Sequence, residues 1–162
     1  MAMVNVIMMC GVCGSGKTTY ALKKEKEGFI RLSIDEEMWN TYGKYDVDYP
    51  AREYSRLSEK VEEYLCKTMI DLIKAGENLV IDFSFWNKEN RDRYRKLIEE
   101  AGGKVKLVYM KADREVLRKR LQKRNQSINA NSPYVITDDI LDSYYSGFQE
   151  PVGEGEIVIV QE

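Results

Sequence analysis

Residues 11–18 constrain the fold of this chain more than any other segment, because they place a glycine-rich turn directly after a short apolar run. They read Gly-Val-Cys-Gly-Ser-Gly-Lys-Thr and match the phosphate-binding pattern G-x-x-x-x-G-K-[ST]. Without a Cβ at the glycine positions, successive backbone N–H groups can curve around an anion, and the following helix points its positive end at the same charge. The segment therefore predicts a buried strand at residues 4–9, a phosphate-binding loop, and a helix that begins at Lys17.

The polar groups of this loop have predicted roles in binding ATP. The Lys17 ammonium reaches the β- and γ-phosphates, so we assign it to both binding and catalysis, and the Thr18 hydroxyl is a ligand for Mg²⁺. A chance match is the alternative, but the motif also lies between a predicted strand and a predicted helix, as its function requires. The candidate nucleotide-binding residues are Gly11, Cys13, Gly14, Ser15, Gly16, Lys17, Thr18 and Thr19.

The rest of the chain alternates short apolar runs with longer amphipathic segments. The apolar runs predict strands at residues 29–33, 79–81, 105–110 and 157–160. Helical spacing, capping residues and terminal glycines predict helices at residues 17–27, 51–75, 88–101, 113–124 and 138–147, with an irregular aromatic segment at 38–50. This alternation predicts an α/β fold with a parallel sheet and helices on both faces, in one domain spanning residues 1–162.

The composition narrows the chemistry that the chain can perform. Histidine is absent from the 162 residues, which excludes Ser-His-Asp and Cys-His catalysis, so a general base must be a carboxylate, lysine, tyrosine or cysteine. The formal net charge of −2 argues against a protein that binds nucleic acid or membranes through bulk charge. Three cysteines are too few for a secreted disulfide framework, so we expect a cytoplasmic enzyme-sized domain.

Two carboxylates follow strands of the predicted sheet. Ligands of doubly wound sheets bind at the carboxyl ends of the strands, so Asp35 and Asp82 should face the same crevice as the phosphate-binding loop. Asp35 is a candidate general base that accepts a proton from an attacking hydroxyl, or alternatively it only caps the helix after it. Asp82 is a candidate to bind Mg²⁺ through water or to orient Thr18 or the acceptor, and otherwise it lies in a solvated turn.

Basic residues cluster at the end of the predicted helix at 113–124. Residues 111–124 contain seven Lys or Arg against two acidic residues. Arg120 and Arg124 lie four residues apart and precede a polar loop, so we predict that both act catalytically within a mobile lid (residues 118–134) over the γ-phosphate. Arg124 is also assigned to nucleotide binding. A solvated basic helix face would show the same spacing.

Aromatic residues follow Asp35 at short intervals, namely Trp39, Tyr42, Tyr45, Tyr49 and Tyr54. Their rings could stack on a phosphoryl acceptor, or they could simply cover the core. The candidate substrate contacts are Asp35, Trp39, Asp82, Trp86 and Arg91.

Several motifs together resemble a known family. Beside the phosphate-binding loop, these are Ser-Ile-Asp at 33–35, Val-Ile-Asp-Phe-Ser-Phe-Trp-Asn at 80–87, Arg-Leu-Gln-Lys-Arg-Asn at 120–125, Ile-Thr-Asp-Asp-Ile-Leu at 136–141 and Phe-Gln-Glu-Pro at 148–151. The chain resembles the small P-loop kinases of the AAA_33 type, which are related to polynucleotide 5′-hydroxyl kinase domains, zeta-toxin-type kinases and chloramphenicol phosphotransferase. The resemblance implies a 2-3-1-4-5 parallel sheet, Asp35 as general base, Asp82 as strand-end carboxylate and Arg124 as lid arginine, with Arg120 one turn earlier. It also implies that residues 151–155 lie near the adenine.

Two positions depart from the polynucleotide kinase pattern. Those domains carry an arginine three residues after the base, where this chain has Met38, and a threonine after the strand-end aspartate, where it has Phe83. Both missing groups contact the acceptor in that family. The departures therefore weaken the case for a 5′-hydroxyl nucleic-acid acceptor and leave the ATP side intact.

The sequence is thus interpreted as an ATP- and Mg²⁺-dependent kinase that transfers the γ-phosphoryl group to a hydroxyl of a small molecule or of a nucleic-acid end. We expect that the protein does not bind a membrane and does not require an obligate protein partner. One alternative is a switch protein that binds or hydrolyses nucleotide to regulate a partner. Another is a nucleic-acid adaptor with a vestigial phosphate-binding loop, which would use the basic residues at 111–124. The acceptor itself (antibiotic, sugar, nucleoside or polynucleotide) is left open.

Overall fold

The computed structural model describes residues 3–162, and a five-stranded sheet lies at its centre. All neighbouring strands are parallel, and they lie in the order β2-β3-β1-β4-β5. The strands are β1 (Val4–Cys10), β2 (Ile30–Leu32), β3 (Leu79–Ile81), β4 (Gly103–Ala112) and β5 (Ile157–Gln161). The α/β fold class and the 2-3-1-4-5 strand order are therefore confirmed.

Helices connect the strands and cover both faces of the sheet. They are α1 (Lys17–Lys26), α2 (Ile34–Tyr42), α3 (Tyr54–Lys74), α4 (Lys88–Glu100), α5 (Arg114–Arg124) and α6 (Asp138–Gly147), and a 3₁₀ turn at Ala51–Glu53 precedes α3. Within residues 3–162, no helix combines the length and the apolar character that crossing a bilayer requires.

Strand β1 is buried on both of its faces. Val6, Met8 and Cys10 pack in the larger apolar cluster, which includes residues of α3 and α4. Ile7 and Met9 pack in a second cluster, which includes residues of α1. This double burial explains why β1 reads as a continuous apolar run. It also anchors the start of the phosphate-binding loop to the rigid centre of the sheet.

The predicted irregular segment at 38–50 is wrong for residues 38–42, which are helical. The Ser33 hydroxyl accepts a hydrogen bond from the Glu36 N–H at 3.2 Å, so Ser33 is the N-cap of α2. The helix continues to Tyr42 because it buries Met38 in the core, which compensates for the weak helix propensity of its aromatic residues. Because Ser33 fills the capping position, Asp35 is not the cap of this helix.

From sequence, the adjacent glycines Gly102 and Gly103 are both expected to terminate the preceding helix. In the structure, Gly103 instead begins β4, where it is paired with Val4 of β1. Gly102, with a φ of 100°, is the residue that turns the chain after α4. A Cβ at Gly103 would lie 2.7 Å from the Ile98 Cγ2 and 3.1 Å from the Val6 Cγ2. Gly103 is therefore needed for the close packing of α4 against the sheet.

Gly103→Ala is expected to lower the free energy of unfolding by about 1–3 kcal/mol, because the added methyl group overpacks this contact. Urea denaturation measures the change. Gly147→Ala is the matched control, since nothing lies within 4 Å of a Cβ at that position. Equal stability of the two variants would contradict the packing argument.

Candidate active site

The loop between β1 and α1 has the backbone conformation that phosphate binding requires. Gly14 and Gly16 have φ angles of 84° and 97°, in the left-handed region that favours glycine. The Val12 carbonyl accepts a hydrogen bond from the Ser15 N–H at 3.1 Å, and α1 begins at Lys17 directly afterwards. The loop therefore curves around the N-terminus of α1, which is the arrangement that cradles phosphate oxygens.

Two side chains of this loop suit an anionic ligand. The Lys17 ammonium donates to the Val12 carbonyl at 3.0 Å, so it lies folded back on the loop. Burial lowers the pKa of Lys17, and the Asp82 carboxylate opposes this shift. The Ser15 hydroxyl is 1% exposed and finds no hydrogen-bond partner among residues 3–162. Because phosphate oxygens are acceptors for both groups, these residues fit a nucleotide.

Thr18, Asp82 and Arg31 form one hydrogen-bonded group at the end of β3. The Oδ2 atom of Asp82 accepts a hydrogen bond from the Thr18 hydroxyl at 3.1 Å. The same oxygen accepts from Arg31 Nε at 3.1 Å and Nη2 at 2.8 Å. The Arg31 and Asp82 side chains are 3% and 4% exposed, so Asp82 does not lie in a solvated turn. The structure thus brings together the two residues that the sequence assigns to the metal.

Sequence reasoning missed Arg31. The available signal was a charged residue in the middle of β2, between Ile30 and Leu32. The Leu32 carbonyl accepts a hydrogen bond from the Asp82 N–H at 2.8 Å, so the adjacent strand ends bring Arg31 beside Asp82. From one sequence, an arginine in a strand at the edge of the sheet reads equally well as a solvent-facing residue.

Asp35 lies in the first turn of α2, within the electrostatic influence of several charged groups. Its Oδ1 atom accepts a hydrogen bond from the Tyr54 hydroxyl at 3.3 Å. Burial and the Asp82 carboxylate raise the pKa of Asp35, while the charges of Arg124 and Lys17 partly offset that rise. The phosphate-binding loop, the end of β3 and the lid therefore all act electrostatically on this one carboxyl group.

The two predicted lid arginines, both on α5, contact different parts of the site. Arg120 Nη1 donates to the Gly14 carbonyl in the phosphate-binding loop at 3.5 Å and to Gln161 Oε1 at 3.2 Å. Arg124 Nε donates to the Ser132 hydroxyl at 2.7 Å. Arg120 therefore lies against the phosphate-binding loop, whereas Arg124 is held within the lid.

The lid loop, which we define as residues 125–136, is held in shape by its own hydrogen bonds. The Asn125 side chain accepts from the Ile136 N–H at 2.9 Å and donates to the Ile136 carbonyl at 2.8 Å, which closes the base of the loop. Asn129 and Ser132 exchange backbone hydrogen bonds of 3.1 and 3.0 Å. The loop is therefore bonded internally both at its base and farther along.

Several cations of the basic segment at residues 111–124 are paired with carboxylates. Arg114 is hydrogen-bonded to Asp142 of α6. Lys111 and Arg118 pair with nearby glutamates at 3.2 and 3.3 Å. Since carboxylates neutralise these three cations, and Arg120 contacts the phosphate-binding loop, this arrangement disfavours the nucleic-acid adaptor.

Tyrosines from distant parts of the chain form a tyrosine wall (Tyr45, Tyr54 and Tyr134) beside Asp35. The ring centroids of Tyr45 and Tyr134 are 4.9 Å apart, and those of Tyr54 and Tyr134 are 5.6 Å apart. The wall and Tyr144 of α6 line a cavity of about 890 Å³. Sequence reasoning included Tyr45 and Tyr54 but missed Tyr134, because only folding of the lid brings it to this cluster.

The other predicted aromatic contacts and the outer residues of the loop occupy varied positions. Trp39 is half-buried, and the Lys44 ammonium lies 6.0 Å from its ring centroid. Trp86 is 51% exposed. Cys13 is half-buried, and Thr19 is exposed in the first turn of α1. Among the described residues, none of these four side chains forms a hydrogen bond with Asp35.

The structure does not support the sequence prediction that Arg91 contacts the substrate. Its side chain is 2% exposed, and Nε and Nη2 donate to the Glu154 carboxylate at 2.8 and 3.0 Å. Nη1 donates to the Phe85 carbonyl at 2.8 Å. All three guanidinium nitrogens therefore donate hydrogen bonds within the protein, and Arg91 connects α4 to the loop before β5.

The two departures from the polynucleotide kinase pattern have a structural basis. Met38 and Phe83 are 2% and 6% exposed, and both belong to the larger apolar cluster. The Phe83 ring packs edge to face on Tyr94 at 5.8 Å between centroids. Apolar residues at these positions extend the core, so they cannot supply the polar contacts to an acceptor that the polynucleotide kinase domains make.

Known proteins are similar to this chain, one in sequence and others in structure. A curated relative, UPF0200 protein PAE1629 from Pyrobaculum aerophilum, is 26% identical over 99% of this chain and 89% of its own length. A gluconokinase from Sinorhizobium meliloti 1021 superimposes with a TM-score of 0.65 at 18% identity, covering 99% of this chain and 84% of that one. A chain of the Pnkp1/Rnl/Hen1 RNA repair complex gives a TM-score of 0.71 at 19% identity, covering 91% of this chain and 44% of that one.

The AAA_33 family, described as an AAA domain, matches residues 6–151. That span runs from β1 through the phosphate-binding loop, Asp35, Asp82 and residues 125–136 to the loop before β5. The chain therefore belongs to the AAA_33 family and has a kinase-like P-loop fold, as its motifs predict.

Proposed function

We propose that this protein is an ATP- and Mg²⁺-dependent phosphotransferase that moves the γ-phosphoryl group of ATP to a hydroxyl group, with Asp35 as general base. The observation that carries the proposal is the environment of Asp35. This carboxylate does not cap its helix, it is held by Tyr54, and it interacts with the charges of Lys17 and Arg124. A carboxylate with a raised pKa is also a stronger base when it is ionised.

The nucleotide would be held by the loop that follows β1. The backbone of that loop and the Lys17 ammonium would bind the phosphates, and the buried Ser15 hydroxyl would donate to one of their oxygens. Thr18 and Asp82 would hold Mg²⁺, which neutralises charge on the phosphates when it is bound.

Asp35 would accept the proton of the acceptor hydroxyl as its oxygen attacks the γ-phosphorus. The new P–O bond forms while the bond to the ADP oxygen breaks, so ADP leaves with its electron pair. The Tyr54 hydroxyl orients the Asp35 carboxylate through its 3.3 Å hydrogen bond. Positive charge from Arg120 and Arg124 would stabilise the transferring group.

The acceptor would bind in the cavity beside the tyrosine wall. Its volume of about 890 Å³ lies within the range of about 300–1,000 Å³ that is typical of small-molecule sites. Tyr54 both lines this cavity and donates to Asp35, so it connects the binding surface to the proposed base. Tyrosine faces favour an acceptor with a planar or ring-shaped part that can stack on them.

Tyr134→Ala is expected to raise the KM for the acceptor about threefold to tenfold without changing nucleotide affinity, because one stacking surface is lost. Steady-state kinetics and direct nucleotide binding separate the two effects. Tyr64→Ala, on the exposed face of α3, is the matched control. An unchanged acceptor KM would exclude the tyrosine wall from acceptor binding.

The function is tested by transfer from γ-³²P-ATP with Mg²⁺. One set of reactions offers 5′-hydroxyl oligonucleotides, and the other offers hydroxylated metabolites and antibiotics, each repeated with Asp35→Asn. Label on one acceptor class that disappears in the variant would support the proposal and name the class. Label found only in free phosphate, at a rate that Asp35→Asn leaves unchanged, would overturn it in favour of the nucleotide switch.

A further inference from the structure

The guanidinium group of Arg31 joins three separate parts of the candidate site. Its side chain is 3% exposed, and it donates to Asp82 at the end of β3. Nη1 donates to Glu36 in the first turn of α2, the turn that also contains Asp35. Nη2 donates in addition to the side-chain oxygen of Asn131, in the lid loop, at 2.7 Å.

The contact with Asp82 fixes the orientation of that carboxylate. Two nitrogens of Arg31 and the hydroxyl of Thr18 all bind the same oxygen, Oδ2, at 2.8–3.1 Å. A rigid guanidinium fork holds a carboxylate more closely in place than a single donor does. The orientation of the Thr18 hydroxyl therefore depends on Arg31 through the oxygen that both residues bind.

The contact with Asn131 connects Arg31 to the lid arginine. The side-chain oxygen of Asn131 accepts from Arg31, and its backbone carbonyl accepts from Arg124 Nη2 at 3.0 Å. Asn131 is itself held by a hydrogen bond from its N–H to Asn129 Oδ1 at 2.9 Å. One lid residue thus binds the two arginines at the same time.

We propose that Arg31 is a positioning residue that orients Asp82 and, through Asn131, latches the lid loop so that Arg124 is held at the site. This inference rests on the proposed phosphotransferase activity for its kinetic consequences only. It assigns a positioning role to Arg31, which does not touch the reacting atoms. It also predicts that Arg31 and Asn131, the two residues of the latch, act as one unit.

A purely structural ion pair is the competing explanation, because separating two buried charges destabilises a fold whatever its function. The two explanations differ at Asn131. The side chain of Asn131 adds nothing to the charge balance of the Arg31–Asp82 pair, so its removal leaves that pair intact. Removing it should therefore affect the lid and the rate of transfer, and it should not affect the stability of the core.

The experiment is a double-mutant cycle with Arg31→Lys and Asn131→Ala in otherwise unchanged protein. Each single variant is expected to lower kcat about tenfold. The kcat of the double variant is expected to be no lower than that of Arg31→Lys, because the Arg31–Asn131 hydrogen bond is already lost in that single variant. The KM for ATP should change much less than kcat. Ser127→Ala, an exposed position in the lid loop, is the matched control and should retain full activity.

Hydrogen exchange of the lid loop provides a readout that does not need an acceptor. Asn131→Ala should speed amide exchange in residues 125–136, whereas Ser127→Ala should not. Effects on kcat that multiply in the double variant, or lid exchange that Asn131→Ala leaves unchanged, would overturn the latch. If the wild-type protein transfers no phosphoryl group but the exchange result holds, the proposed function fails while the latch stands.

Discussion

Asp35→Asn is expected to lower kcat by about 10²–10⁴-fold while the affinity for ATP stays within about twofold. Asparagine has nearly the same shape as aspartate, but its amide cannot accept the proton of the acceptor hydroxyl. Single-turnover transfer together with direct ATP binding separates these effects. Glu37→Gln, in the same turn of α2, is the matched control and should retain the wild-type rate. A common loss of rate in both variants would indicate damage to α2 and not loss of a base.

The same substitution is expected to stabilise the folded protein at neutral pH. Burial and the nearby Asp82 raise the pKa of Asp35 above its ordinary value of 3.8. The folded state therefore holds this proton more tightly than the unfolded state, so stability falls as the pH rises from the unfolded pKa through the folded one. The amide that replaces the carboxyl group does not titrate, so the variant should gain thermal stability near pH 7 and lose that advantage below about pH 4. Calorimetry at the two pH values measures this difference.

Glu154→Ala is expected to lower the free energy of unfolding by about 3–5 kcal/mol. The Glu154 and Arg91 side chains are 8% and 2% exposed, so the substitution leaves a buried guanidinium without its counter-charge. Urea denaturation measures the loss. Glu150→Ala is the matched control, because the Lys111–Glu150 pair is about half exposed, and we expect it to cost only about 0–1 kcal/mol.

A second variant separates the loss of charge balance from the loss of packing. Arg91→Met combined with Glu154→Leu replaces the pair by apolar side chains, so no buried charge remains. This double variant is expected to be more stable than Glu154→Ala alone. A double variant that is less stable than Glu154→Ala would show that loss of the ion pair itself, and not the unpaired charge of Arg91, dominates the loss of stability.

The sequence predicts the part of this fold that depends on local chemistry. The glycine spacing of residues 11–18 predicts the phosphate-binding loop, and the apolar runs predict each strand to within a few residues. The apolar pattern underestimates the length of β4, because Gly103 resembles a helix terminator until its packing on Ile98 is seen.

The parts of the candidate site that sequence reasoning missed depend on contacts between distant segments. Arg31 and Asn131 are far apart in the chain, and only the folded lid shows that one binds the other. Tyr134 joins Tyr54 for the same reason. Arg91 differs in the opposite direction, because we predict it as a substrate contact from sequence, whereas in the fold it is buried against Glu154. A single sequence carries the residue types but not these pairings.

The internal hydrogen bonds of the lid loop have a consequence for turnover. Asn125 and Ile136 are bonded at its base, and Asn129 is bonded to Ser132 farther along, so the loop has its own fixed shape. As the lid that we predict, such a loop would swing about its two ends as a rigid piece. Most of its conformational entropy would then be lost once, when the chain folds, and a catalytic cycle would not need to disorder and reorder the backbone.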